Sequence, residues 1–156
     1  MKQKIFISLI LVVIGSFSVH AQFFELKGPD NQKLYYHINV KGYKTLSVVP
    51  YKGKRWDYGR KNYQYTSITI PETISYKGEQ YTVTTIAPGA FEHCDHLESV
   101  IIPKSVKEIG FAAFASCGKL SDIKIPEQVK SIEAITFRSC IKLKTIKIPS
   151  SVQKEI

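Results

Sequence analysis

Glu92-His93-Cys94-Asp95-His96 is the stretch of this sequence that gathers metal-ligating and nucleophilic side chains most closely. A thiol beside two imidazoles could form a Cys-His nucleophile or begin a zinc site. Tetrahedral zinc needs four ligands, and the chain offers no C-x-x-C and no second histidine pair to complete the set. Other chemical signatures fail on spacing. Gly53-Lys54 would need glycine at position 48 to cradle a phosphate, and that position is Val48. There is no G-x-S-x-G elbow, and no pair of carboxylates can be placed across a glycosidic bond from the sequence alone. The sequence therefore assigns no catalytic residue, no metal ligand and no cofactor, and the expectation is a protein that is not an enzyme.

Basic and aromatic residues remain as candidates for binding. Residues 41 to 61 hold seven basic side chains against one acidic, nearly all of the chain's excess charge once the first residues are set aside. Within that segment Lys54, Arg55, Trp56 and Tyr58 alternate cations with ring faces, which suits stacking on sugars and attraction of acidic polymers. The same composition also suits a solvated loop whose aromatic residues cover an underlying core. Trp56 separates the two readings: a binding loop exposes it and a cap buries it.

The elements that must position these residues are set by length and pattern. The chain has 156 residues, a net charge of +9, 44% apolar and 12% aromatic residues, enough for one domain with a core and unlike a disordered chain. Lys2 and Lys4, the apolar run Ile5 to Ile14 and the compact Val19-His20-Ala21 read as a signal segment cleaved after Ala21. No apolar run reaches the roughly 20 residues needed to span a bilayer. The first cysteine is Cys94, so no cysteine lies at the cleavage site to take a lipid. The expectation is a secreted, periplasmic or cell-surface protein.

An interval of 23 residues then organises the second half. It links Ile86, Ile109 and Ile132; Phe91, Phe114 and Phe137; Cys94, Cys117 and Cys140; Leu97, Leu120 and Leu143; Pro103, Pro126 and Pro149; and Val106, Val129 and Val152. Ala90, Phe91, Cys94 and Leu97 mark one face of a short helical turn, while Leu120, Ile123 and Ile125 change to the two-residue period of a strand. Proline follows the strand and ends its pairing, because it has no N–H to give the ladder. Such a unit cannot bury its apolar face alone, so units stack, with parallel strands about 4.8 Å apart. Phe114, with a rung on each side, should be fully buried. The cysteines share one inward column and should be free thiols, since stacked parallel side chains hold their Cβ atoms too far apart for a bridge. In the same frame His93 aligns with Ser116 and Ser139, and His96 with Lys119 and Lys142, so the imidazoles face solvent while Cys94 points inward.

The pattern Ile109-Gly110-x-x-Ala113-Phe114-x-x-Cys117-x-x-Leu120-x-x-Ile123-x-Ile125-Pro126 resembles the BspA-like leucine-rich-repeat proteins of bacterial cell surfaces. Ile68-Thr69-Ile70-Pro71 and the run from Tyr76-Lys77-Gly78 to Ile86 are similar to the hairpin that often precedes the first full repeat in that family. The resemblance implies a role in adhesion to host or bacterial surfaces and supplies no catalytic residue. The third unit departs from the pattern, with Glu133 for glycine and Thr136 for alanine, and is expected to be less regular.

The resulting expectation is an α+β solenoid: a short leucine-rich-repeat stack of 23-residue period with a parallel strand ladder and a β-rich N-terminal cap. Residues 1–21 form the signal peptide, 22–85 the cap and hairpin, and 86–156 three repeats. Strand residues facing solvent are Ser99 and Ile101, Asp122 and Lys124, Thr145 and Lys147, so that Lys124 and Lys147 make a small basic column and join Lys54, Arg55, Trp56 and Tyr58 as candidate ligand contacts. The expected partner is a surface protein or a glycan, and export disfavours nucleic acid. The alternative is a structural fragment or assembly subunit that self-associates through an uncapped last repeat.

Overall fold

The computed structural model describes residues 23–28, 30–39, 43–50 and 63–153. Three antiparallel strands come first: β1 (Phe23–Lys27), β2 (Lys33–Ile38) and β3 (Thr45–Val49). Phe24 and Leu26 on β1, and Leu34 and Tyr36 on β2, are buried while the residues between them are more exposed. That alternation is what a sheet with one buried face requires. β4 (Ser67–Thr69) opens a second sheet, and β5 (Thr73–Tyr76) and β6 (Glu79–Ile86) form a hairpin. Lys77 and Gly78 close it at φ of 51° and 78°, the left-handed pair that two-residue hairpin turns favour.

Beyond β6 the chain visits the two sheets in turn. β8 (Glu108–Ile109) and β10 (Ser131–Ile132) extend the first sheet in the order β1-β2-β3-β6-β8-β10, with β5 beside β6; β7 (Ser99–Ile101) and β9 (Asp122–Lys124) extend the second in the order β4-β7-β9. The pairings from β6 onwards join residues 23 apart: Ile86 to Ile109 to Ile132, and Val100 to Ile123. The sequence interval is thus the register of a parallel ladder. Ahead of it, β4 pairs Ile68 with Val100, which places a further strand on this ladder upstream of residue 86.

The third side of the stack differs from the short helical turn that the apolar spacing suggests. No helix is present among the described residues. Gly89, Ala112 and Ile135 have φ of 63°, 54° and 52°, and His93, Ser116 and Ser139 have 58°, 61° and 62°, two further columns at the same interval. Left-handed residues at fixed places break a right-handed helix. Hydrogen bonding gives the reason. Ala113, Ala115 and Cys117 donate their N–H to the carbonyls of Gly110, Ala112 and Phe114, three residues back, whereas Ala112, Phe114 and Ser116 donate to Ala134, Thr136 and Arg138 of the next rung. An α-helix commits every N–H to its own axis. Here alternate amides point along the stack and tie one rung to the next.

The third unit keeps this turn despite its departures. Thr136 is buried, and its hydroxyl donates to the Glu133 carbonyl at 2.5 Å, with the Gly110 carbonyl at 3.3 Å. The strand expected around Thr145 and Lys147 is not formed: residues 143–149 lie outside any strand, and both side chains are exposed. Among the described residues this rung has a neighbour on one side only, with half the ladder to hold it.

The core lies between the two sheets and the turns. Tyr63, Phe91, Phe114 and Phe137 form a continuous ring column, with centroids 5.4, 5.2 and 5.6 Å apart and the last two pairs stacked at 13° and 2°. The cap joins it through Tyr63, whose hydroxyl donates to the Val49 carbonyl at 2.8 Å and accepts from the Tyr35 amide at 2.9 Å. The Gln32 side chain completes the first rung: its Nε2 donates to the Ser67 carbonyl at 2.5 Å and its Oε1 accepts from the Thr69 amide at 3.4 Å. One side-chain amide thus occupies the open edge of β4 as another strand would, which blunts an edge otherwise ready to pair.

Candidate recognition surface

β7 and β9 carry the only sequence-proposed site residue that the described structure places in a concavity. Because side chains alternate across a strand, Val100 points into the core while Ile101 and its register partner Lys124 point out, as do Ser99 and Asp122. Ile101 is 63% exposed, a large apolar side chain at a solvent-facing position. It shares a groove of about 510 Å³ with Val100, Ile102, Lys104, Asp122, Lys124, Pro126, Glu127 and Gln128. Lys147 stands beside this groove and pairs with Glu127 at 3.7 Å. Both partners are largely exposed, so the pair adds little to stability.

The groove combines an apolar floor with two cations, two carboxylates and an amide. It has the means to hold a ligand by contact and hydrogen bonding. Lys124 and Ile101 are legible as outward residues of the strand period. Lys104 and Gln128 are not, because they flank the proline bends of two successive rungs and meet only when the rungs stack. The repeated proline at 103 and 126 is the sequence signal that could have pointed to them. Lys54, Arg55, Trp56 and Tyr58, and the stretch read as a signal segment, lie outside the described residues.

The Cys-His stretch separates as its repeat frame implies. His93 and His96 are exposed, Cys94 is fully buried, and among the described residues no group of three or more His, Cys, Asp or Glu is placed to hold a metal. All three cysteines are free and buried. The thiols of Cys117 and Cys140 donate to the carbonyls of Phe91 and Phe114 at 3.0 and 3.1 Å, so each reaches back one rung. The hydrogen bond with Cys94, followed by burial, pushes the Cys117 thiol far up, and burial pushes Cys140 from its ordinary 9.0 to about 11. Thiolate is the reactive form, so these thiols are poor nucleophiles near neutral pH. Native alkylation followed by mass spectrometry should label Cys140 first, since it is 7% exposed, and leave Cys94 and Cys117, both at 0%, unlabelled until denaturant is added. The raised Cys140 value also means that its contribution to stability, whole below the unfolded thiol's value, is lost as pH climbs from 9.0 towards about 11.

Comparison with known proteins agrees with this architecture. The family described as BspA type leucine rich repeat region (6 copies) matches residues 61–155. A leucine-rich repeat protein from Bacteroides capillosus is 34% identical, with a TM-score of 0.64 over 78% of this chain and 81% of that one. One from Bacteroides ovatus is 31% identical, with a TM-score of 0.64 over 76% of this chain. The T. pallidum leucine rich repeat protein is 25% identical, with a TM-score of 0.57 over 84% of this chain. The chain spans 29% of the B. ovatus protein and 49% of the T. pallidum protein. No match was found among curated proteins. No helix among the described residues is long and apolar enough to cross a membrane. With the repeat match covering well over half its length, the chain belongs to the BspA-type leucine-rich-repeat family.

Proposed function

We propose that this chain is an exported, non-enzymatic repeat protein that recognises a protein or glycan at a cell surface through the groove between β7 and β9. The observation that carries the reading is Ile101, an exposed apolar side chain in a concavity that Lys104, Asp122, Lys124 and Glu127 also line. An apolar residue framed by polar groups is the usual composition of a recognition site. The basic hydrophobic start of the sequence supports export, and the family resemblance supports a surface role. Labelled protein from Gln22 onwards, titrated onto bacterial and epithelial cells by flow cytometry, tests it. Saturable binding that Ile101→Asp weakens about tenfold, with an unchanged unfolding midpoint, is expected. Absence of saturable binding overturns the surface role, and binding indifferent to Ile101→Asp overturns the groove.

A second reading, self-association through the last repeat, has its own observation. Ile141 is 81% and Ile148 37% exposed, and Phe137 and Leu143 are only partly buried, so the last rung presents apolar surface. Sedimentation of the protein across the micromolar range decides this, a concentration-independent monomer being the outcome against it.

A further inference from the structure

We propose that the β7/β9 groove, together with the lysines of the last two rungs, binds an anionic polysaccharide. The proposal rests on the surface-recognition reading above and names its ligand class. Charge changes along the stack: residues 86–108 carry two basic and four acidic side chains, 109–131 three and two, 132–154 five and one. Five of these lysines are exposed: Lys124 on β9, Lys119 in the turn before it, and Lys142, Lys144 and Lys147 at or beside the equivalent places one repeat further on. Lys119 and Lys142, and Lys124 and Lys147, occupy the same column one rung apart. The ladder spacing of about 4.8 Å joins β7 to β9, and beyond β9, where no strand forms, the ion pair with Glu127 keeps Lys147 beside the groove, so the cations make a row suited to a chain of repeating charges. All five are lysine, a mobile point charge that attracts without the fixed fork by which arginine recognises a single carboxylate or phosphate.

The groove narrows the class further. Lys104 and Lys124 face it together with the acceptors Asp122 and Glu127 and the amide of Gln128. For a ligand that is only a string of phosphates, the two carboxylates are a repulsive liability. For a carboxylated or sulfated sugar chain they have a use, because sugar hydroxyls donate to carboxylates while the acid groups meet lysine. Single-stranded nucleic acid is held by aromatic stacking platforms, and no aromatic residue lines this groove. A lipid surface is met by a broad apolar face, whereas Ile101 shares its surroundings with Lys104, Asp122 and Lys124.

Fluorescence anisotropy with labelled alginate, a polyuronate, tests the proposal on the chain from Gln22 onwards. Saturable binding is expected, weakening about tenfold or more between about 50 and about 200 mM salt. Neutral dextran should not bind. The pair Lys124→Glu and Lys147→Glu should weaken alginate by about tenfold at an unchanged melting temperature, while the charge-matched pair Lys107→Glu and Lys130→Glu, exposed beside the other sheet, should stay within about threefold of the parent. Equal loss from both pairs would reduce the effect to net charge and overturn the site. So would no loss from the first pair, loss from Lys54→Glu and Arg55→Glu in its place, or tighter binding to single-stranded DNA or phosphatidylglycerol vesicles than to alginate. If the protein binds cells but neither binds alginate nor is displaced by it, the ligand class fails while the surface reading stands.

Discussion

Replacing Phe114 by alanine is expected to leave the chain unfolded, or nearly so, at room temperature. Phe114 is fully buried, with Phe91 stacked on one face at 5.2 Å and Phe137 on the other at 5.6 Å. The truncation removes a ring from the middle of a column whose neighbours are pinned by the rung-to-rung amides, so the cavity cannot collapse. A loss of about 3–5 kcal/mol follows, comparable to the whole stability of a small domain. Phe137 is only partly buried, and Phe137→Ala should cost about half as much. Urea denaturation of both variants checks the ordering. A loss below about 1 kcal/mol at Phe114 would mean that the ring column does not hold the rungs together.

The second large effect is expected at Gly110. A Cβ built there would lie 2.7 Å from the Pro88 nitrogen and 2.8 Å from its ring Cδ, contacts with backbone and a closed ring that cannot swing aside. Gly110→Ala must therefore push two rungs apart or distort the turn, a cost of about 3 kcal/mol. In the next rung this column holds Glu133, and the position equivalent to Pro88 is Phe111, whose nitrogen carries no ring. Gly118 provides the contrast, since its Cβ would meet nothing nearer than Ile141 Cγ1 at 3.9 Å. Gly118→Ala should stay within about 0.5 kcal/mol of the parent. Thermal melts of the two variants make the comparison, and equal losses would contradict the close approach.

The buried columns were legible in the sequence because a stack converts a fixed interval into register. Ile86, Ile109 and Ile132 become ladder partners for no reason beyond their spacing, and the burial of Phe114 follows from having a rung on each side. The turn conformation was not legible. Apolar residues at i, i+1, i+4 and i+7 say which side faces the core, and both a helical turn and a chain of linked turns satisfy them. What decides is where each N–H finds its acceptor, and half of those acceptors belong to the following rung. Propensity pointed the wrong way as well, since Ile135 and Ala112 adopt positive φ, a conformation such residues rarely take. The candidate site divides along the same line. Lys124 and Ile101 follow from strand alternation within one unit, whereas the groove needs Lys104 and Gln128 brought together by two.

The central claim is that alternate amides of each turn bind the next rung and so replace a helix with a stack. Residue-resolved hydrogen exchange tests it directly. Ala112, Phe114 and Ser116 donate to the following rung, while Ile135, Phe137 and Ser139, in the same columns one rung on, have no backbone acceptor among the described residues. The account predicts slow exchange for the first three and fast exchange for the last three, with Arg138 and Cys140, which donate to Ile135 and Phe137 within the turn, retaining intermediate protection. Equal protection of Ile135, Phe137 and Ser139 with Ala112, Phe114 and Ser116 would show that these amides are satisfied within their own turn, as in a helix, and would contradict it.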